Sequence, residues 1–293
     1  MILSQTTWCA LRFGEKRSIE MIAAAGFDAA DYSMTELRSD GGILSTDEYK
    51  KYAAELRETA ERCGIFFNQA HAVTYMGAED AETEYRRLVA ANRRAIEVAG
   101  LMGIKTIVVH PISGGRYIGR EEQVFELNMK YFRELLPCAE KYGVKIACEN
   151  MWCGDEKRGV ARGSVCSNPF EHAHYVDEIN NEMFAACLDV GHSSLAGREA
   201  QDCIRVLGSR LQALHIHDND YRDDMHTLPG LSEMNWDEIT KALADINYQG
   251  DFTLETDHFF DSLTTVEETK TGLKLSELIG RKMISKIENF KNK

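Results

Sequence analysis

The sequence predicts an α/β protein built as a single closed (β/α)8 barrel. Three observations carry this. Eight short apolar runs alternate with longer helical patterns, and successive runs start about 25 to 41 residues apart, room each time for a strand, a loop and a helix. The 293 residues suit one such barrel, which takes about 250, and no linker or low-complexity tract divides them, so 1–293 reads as one domain. Acidic and imidazole residues recur at the ends of the apolar runs, where a barrel gathers them into one mouth. An open doubly wound sheet is the alternative, but no GxGxxG follows the first strand to support a dinucleotide fold.

The strands are expected at 2–7, 27–32, 65–72, 104–110, 144–149, 184–189, 211–217 and 252–256. Between them, the helical pattern at 16–25 stops at Gly26. The pattern at 46–63 carries Tyr49, Tyr52, Ala53 and Leu56 at helical spacing, with Ser45 or Thr46 as cap and Asp47 and Glu48 at its positive end. Patterns at 81–101 and 120–142 are long and amphipathic, and Pro137 either bends or divides the latter. Pro169 sits in the first turn of 168–180, a favourable place for proline. Patterns at 198–207, 236–246 and 273–290 complete eight helices, with 265–271 either starting the last one or forming its loop.

Composition narrows the function. A hydrophobic fraction of 44% is enough for a sizeable core. Lys+Arg is 34 against Asp+Glu 47, a net charge of −13. That disfavours a nucleic-acid binder, whose phosphate contacts need clustered positive charge. No basic-then-apolar leader is visible, and no run approaches the ~20 apolar residues of a membrane span. Eight cysteines without a CxxC pair suggest buried thiols in a reducing, cytoplasmic compartment. Cys148, beside an acidic residue in a strand, should face away from it.

His71, His110, Glu149, Asp189, His217 and Glu255 fall at or near strand C-terminal ends. Each has a plain structural alternative: an edge histidine, a turn before Pro111, a cap, a salt bridge. Glu149, in ACEN, is the hardest to explain that way, because a carboxylate after apolar strand residues is costly unless paired, protonated or metal-bound. In LDVGH, Asp189 ends a strand, Gly191 permits a tight approach, and His192 follows. In LQALHIHDND, His215 and His217 share a face. His217 lies nearer the expected mouth and is taken as the ligand, leaving His215 one layer deeper to orient a neighbour or fill the lumen. Asp224 and His226, two apart in DDMHTLPG, reach one cation if their loop is extended. The mixed O/N set Glu149, Asp189, His217 and Glu255 suits Mn²⁺, Zn²⁺, Co²⁺ or Fe²⁺ better than Mg²⁺ or a sulfur-rich zinc site.

These motifs (HPISGG around His110, ACEN, LDVGH, HIHDND, DMHTLPG and TLET around Glu255) resemble the xylose isomerase-like TIM-barrel superfamily across essentially the whole chain. That group includes sugar epimerases and isomerases, inosose dehydratases and endonuclease IV-type abasic-site nucleases. In epimerase-like members, the resemblance implies one divalent ion, Zn²⁺ or Mn²⁺, on Glu149, Asp189, His217 and Glu255, with His192 on a sugar oxygen. In nuclease-like members, His71, His110, His192, Asp224 and His226 add donors for a trinuclear zinc cluster, so more than one ion is a real alternative. Ser232 stands where nucleases carry the second glycine of a GxG, and Arg222 is shifted by a residue from an epimerase arginine.

The leading expectation is a metal-dependent isomerase or epimerase of a small carbohydrate or polyol, acting through an enediolate. One of Glu149 and Glu255 removes the proton beside the carbonyl and the other returns one. His110 and His192 would steady hydroxyls, Trp8 and Trp152 would wall the sugar, and Arg222 is a further substrate contact. Gly114–Gly115–Arg116 and the loop carrying Lys157, Arg158 and Arg162 are available to a substrate phosphate. The alternatives are a multizinc phosphoesterase, an inosose dehydratase-like lyase and a non-catalytic ligand-binding barrel. Exposed helical faces could support a homo-oligomer, and membrane association is not expected.

Overall fold

A computed structural model describes residues 1–38, 41–113, 117–155 and 157–292. Apolar strands alternate with amphipathic helices in the expected order: β1 (Leu3–Thr6), α1 (Glu15–Ala25), β2 (Ala29–Ser33), α2 (Tyr49–Arg62), β3 (Phe66–His71), α3 (Ala81–Met102), β4 (Thr106–Val109), α4 (Glu121–Tyr142) and β5 (Lys145–Glu149). A hairpin of β6 (Trp152–Asp155) and β7 (Val160–Gly163) follows, then α5 (Pro169–Ile179), β8 (Phe184–Asp189), α6 (Val190–Leu195), α7 (Ala200–Leu207), β9 (Leu211–His215), α8 (Trp236–Asp245), β10 (Phe252–Leu254), α9 (Asp257–Asp261) and α10 (Val266–Lys291). No described helix is long and apolar enough to cross a membrane.

Eight strands pair in parallel in the order β10-β1-β2-β3-β4-β5-β8-β9. The ring closes just past β9, where Ile216 N–H donates to Thr253 O at 2.9 Å and Glu255 N–H donates to Ile216 O at 3.1 Å. Most of the buried apolar mass lies between this ring and the helices, as expected for strands covered on both faces.

The ends of the helices differ from expectation in informative ways. Pro137 lies inside α4 without dividing it, on the exposed face where the carbonyl it leaves unpaired can meet water. α10 begins at Val266, because Thr265 and Glu268 form a reciprocal capping box that draws 265–271 into the helix. The β6–β7 hairpin and short α6 and α9 were not anticipated; each is too short for periodicity to reveal.

Glu15 opens α1, yet it is buried and neither carboxylate oxygen has a hydrogen-bond partner. Burial, then the nearby Glu36 carboxylate, push its pKa up to about 8. An unfolded glutamate titrates at about 4.3, so the native state holds the proton more tightly. Its contribution to stability is therefore full below that value and is lost as pH rises through 8. Glu15→Gln, which stays neutral, is expected to be more stable than the parent by on the order of 3 kcal/mol at pH 7, with the gap closing towards pH 4. Thermal melts that run parallel at every pH would refute this.

Candidate metal centre and active site

Val108, Ala147, Cys187 and Ala213 pack on one another apart from the outer core. Side chains of a strand alternate between faces, so the next residues on this inner face are His110, Glu149, Asp189 and His215. The register agrees: Glu149 pairs with Cys187, and Asp189 pairs with His215. Ligating atoms of Glu149, Asp189, His215 and Glu255 all lie within 4.8 Å of one another. His215 Nδ1 is 3.0 Å from Glu149 Oε1 and 3.3 Å from Glu255 Oε2.

The histidine in this group is not the one expected from the sequence. His217 was expected to complete the set because it lies nearer the mouth. The stagger of β8 against β9 instead puts His215 level with Asp189, and His217 lies past the strand end. There its Nε2 is 3.0 Å from Asp189 Oδ1, and its ring stacks on His226 at 3.9 Å. Gly191 makes room for it: a Cβ at Gly191 would stand 2.0 Å from His217 Cε1. Gly191→Ala is expected to displace His217 and cost about 1–3 kcal/mol of stability, read as a lowered Tm; an unchanged Tm would refute the packing argument.

Two further groups of three donors flank the centre. His71 and His110 bring their Nε2 atoms to 3.4 and 2.9 Å from Glu149 Oε2. On the other side, Asp224 lies between His192 Nε2, at 3.7 Å, and His226 Nε2, at 3.3 Å. The extended loop that brings Asp224 and His226 inward is bridged to the end of β9 through Asp218 and Thr227. Eight of the nine donors expected from the sequence thus lie in these three groups, which contain His215 in place of His217.

The hydrogen bonds show what this donor set is built for. Nδ1 of His71, His192 and His226 each lies 2.9 Å from a backbone carbonyl, of Ala72, Asn150 and Glu255 respectively. Donation from Nδ1 leaves Nε2 of the neutral ring as a lone pair aimed at a carboxylate, an arrangement favourable only with a cation between them or a second proton on the ring. Glu149 Oε2 and Asp224 Oδ1 are buried without a well-formed hydrogen bond. A divalent metal cofactor fits these residues.

Without such an ion, protons serve instead. Burial pulls the His192 imidazole down, but Asp189, Asp224 and Glu149 outweigh it and push its pKa up to about 10. Burial likewise works against the Asp189 carboxylate, yet His192 and His217 hold it down at about 2. Glu149 is held well below the usual carboxylate range by His215 and His110, against the effect of burial. A metal ion must displace the histidine protons, so ion affinity rises with pH.

Residues outside the expected set hold it in place. Asn150 Nδ2 donates to Asp189 O at 2.9 Å, and Asp189 N–H returns a bond to Asn150 Oδ1 at 2.8 Å. Asp218 accepts from the amides of Gly230, Ser232 and Met234 and from Trp236 Nε1. The serine that breaks the GxG pattern therefore contributes through its backbone. Asp218 could have been suspected from the repeated acidic residues of HIHDND; Asn150 carried no such signal.

A cavity of about 310 Å³ opens over the centre, with His71, His110, Glu149, His192, Asp224 and Glu255 in its wall, together with Trp8 and His258. Trp152 does not line it; its Nε1 donates to Asp224 Oδ2 at 3.2 Å. Arg222 is exposed and also outside the lining, in a turn whose amides bond Asp220. Arg162 pairs with Asp155 at 3.3 Å, within the β6–β7 hairpin, and neither it nor Lys157 or Arg158 reaches the cavity. Gly114, Gly115 and Arg116 lie outside the described residues. All eight cysteines are free thiols, and Cys148 faces outward from the centre, 3.9 Å from Cys166.

Residues 19–276 match the family model described as xylose isomerase-like TIM barrel. The D-psicose 3-epimerase of Enterocloster bolteae is 28% identical over 252 residues, covering 82% of this chain and 76% of that protein. Among solved structures, a D-tagatose 3-epimerase-like protein superposes with a TM-score of 0.76 at 22% identity, covering 99% of each chain. The IOLI protein with a bound zinc atom does so at 0.73 and 18% identity, again over 99% of each chain.

Proposed function

Since the chain belongs to the xylose isomerase-like TIM-barrel family, we propose that it is a divalent-metal-dependent isomerase or epimerase of a small sugar. The observation that carries this is the pair of glutamates meeting at His215 from different sides of the barrel. β5 and β10 are five strands apart one way round the ring and three the other, so Glu149 and Glu255 approach a molecule over the centre from two directions. One carboxylate takes the proton from the carbon beside the carbonyl, and the other delivers a proton at the opposite face or the adjacent carbon. Glu149, Asp189, His215 and Glu255 would hold Zn²⁺ or Mn²⁺, which supplies polarisation of the carbonyl and compensating charge for the enediolate. His110 and His192, both in the cavity wall, bond sugar hydroxyls, and Trp8 covers an apolar face of the ring. The protein acts in the cytoplasm on a soluble substrate.

The test is incubation of the Mn²⁺- or Zn²⁺-loaded enzyme in D₂O with D-fructose, D-psicose, D-tagatose, inososes and sugar phosphates. Epimerised or isomerised product carrying solvent deuterium is expected, with activity lost on chelation. Absence of both product and deuterium across the panel refutes the reading.

A second reading, a multizinc phosphoesterase, is favoured by one observation: the His71–His110–Glu149 and His192–Asp224–His226 groups could each hold an ion of their own. Three tightly bound zinc ions per chain with cleavage at an abasic nucleotide would establish it over the first reading; a single required ion with sugar turnover would exclude it.

A further inference from the structure

A second cavity, of about 640 Å³, adjoins the first at the same barrel mouth, and Thr74 and His110 line both. It lies between the segments that follow β3 and β4. Each segment is held by a buried asparagine of the helix beyond it. Asn92 of α3 bonds both the N–H and the carbonyl of Val73, at 3.0 Å each. Asn128 of α4 does the same for Ile112, at 2.7 and 2.8 Å. The Glu84 carboxylate accepts from the amides of Met76 and Ala78, at 2.6 and 2.7 Å, and fixes the rest of the wall. The cavity is therefore shaped before anything enters it.

Its chemistry is specific. Tyr75, 61% exposed, Tyr85, Leu88, Ile112 and Leu127 offer apolar and aromatic faces. Glu79, Asp80 and Glu82 add acidic residues to the lining, with Asp80 Oδ1 accepting from Thr83 N–H and Glu82 3.5 Å from Arg86 Nε. Lys130 is the one cation among the described lining residues, and it sits 4.7 Å over the Tyr85 ring and 4.0 Å from Glu134. Among the described lining residues carboxylates outnumber the one cation, which disfavours phosphate. Aromatic faces beside carboxylate acceptors suit a neutral ring with apolar C–H faces and hydroxyl donors.

Resting on the proposed sugar chemistry at the metal centre, we infer that the substrate is a glycosylated sugar: the reacting unit occupies the cavity over Glu149 and Glu255, and a neutral glycosyl ring fills the annex beside His110. The ring's recognition adds affinity without taking part in proton transfer.

The experiment compares D-fructose, D-psicose and D-tagatose with their 4-O-glucosyl, 6-O-glucosyl and 6-phosphate derivatives, using the metal-loaded enzyme. A glucosyl derivative is expected to exceed its free sugar in kcat/KM by about tenfold or more. Tyr75→Ala, and Leu127→Trp, which puts a bulky ring into the annex wall, are expected to abolish that advantage while leaving free-sugar kinetics unchanged, which also shows that both variants fold. Turnover of free sugars with glucosyl derivatives no better, or with the 6-phosphate preferred, overturns the annex and spares the isomerase reading. Equal losses on free and glucosylated sugars in both variants overturn it too. No turnover of any compound overturns both.

Discussion

Glu255→Gln is expected to lower kcat by about 10²- to 10⁴-fold, the range for removing a positioned acid or base. Glutamine keeps the size of the side chain and one oxygen, but it cannot take or return a proton. Glu255 ends the ring next to Ile216, and its carboxylate lies 3.3 Å from His215 Nδ1, so a neutral replacement need not disturb the fold. Glu149→Gln should be at least as damaging. Its two oxygens face different partners, Oε1 towards His215 and Oε2 towards His110, and the change weakens the ion site as well. The measurement is kcat for both variants at saturating Mn²⁺, with bound metal counted in the same samples. Either variant retaining more than about a tenth of parental kcat would remove that glutamate from proton transfer.

His215→Ala is expected to lower metal affinity by more than 100-fold, whereas His217→Ala should lower it by about 10- to 100-fold, the usual effect of a residue that orients a ligand. His215 meets two carboxylates of the centre directly, while His217 acts through Asp189. Metal titration of both variants followed by calorimetry decides the order. A larger loss for His217 than for His215 would restore the reading drawn from the sequence and refute the one drawn from the register. Both alanines leave a buried gap, so the Tm of each, taken with and without metal, separates loss of ion from loss of packing.

Much of this was legible beforehand because it depends on local rules. Alternating apolar runs locate all eight barrel strands, and Gly26, Pro169 and the apolar spacing of 46–63 locate helices to within a few residues. Glu149, Asp189 and Glu255 stood out because a carboxylate ending a buried strand needs a reason to be there. The hairpin after β5 was not legible, since four-residue strands such as WCGD and VARG lack a clear apolar alternation. Nor was the buried state of Glu15, a glutamate at the start of a helix, where exposure is the ordinary outcome.

The exchange of His217 for His215 marks the boundary most clearly. Period-two alternation determines that both histidines share a face, and the sequence alone settles that. Which of them stands level with Asp189 depends on how far β9 is staggered along β8 when the ring closes. That stagger is a property of all eight strands together, fixed by hydrogen bonds between segments distant in the chain. The same closure decides that Glu149 and Glu255, 106 positions apart in the sequence, face one point, and that two loops pinned by Asn92 and Asn128 leave a second chamber beside it. The chain's own pattern thus selects the kinds of donor and the strands that bear them, while their meeting place is a consequence of barrel geometry, because distances across a closed sheet are set by its shear and not by spacing along any one strand.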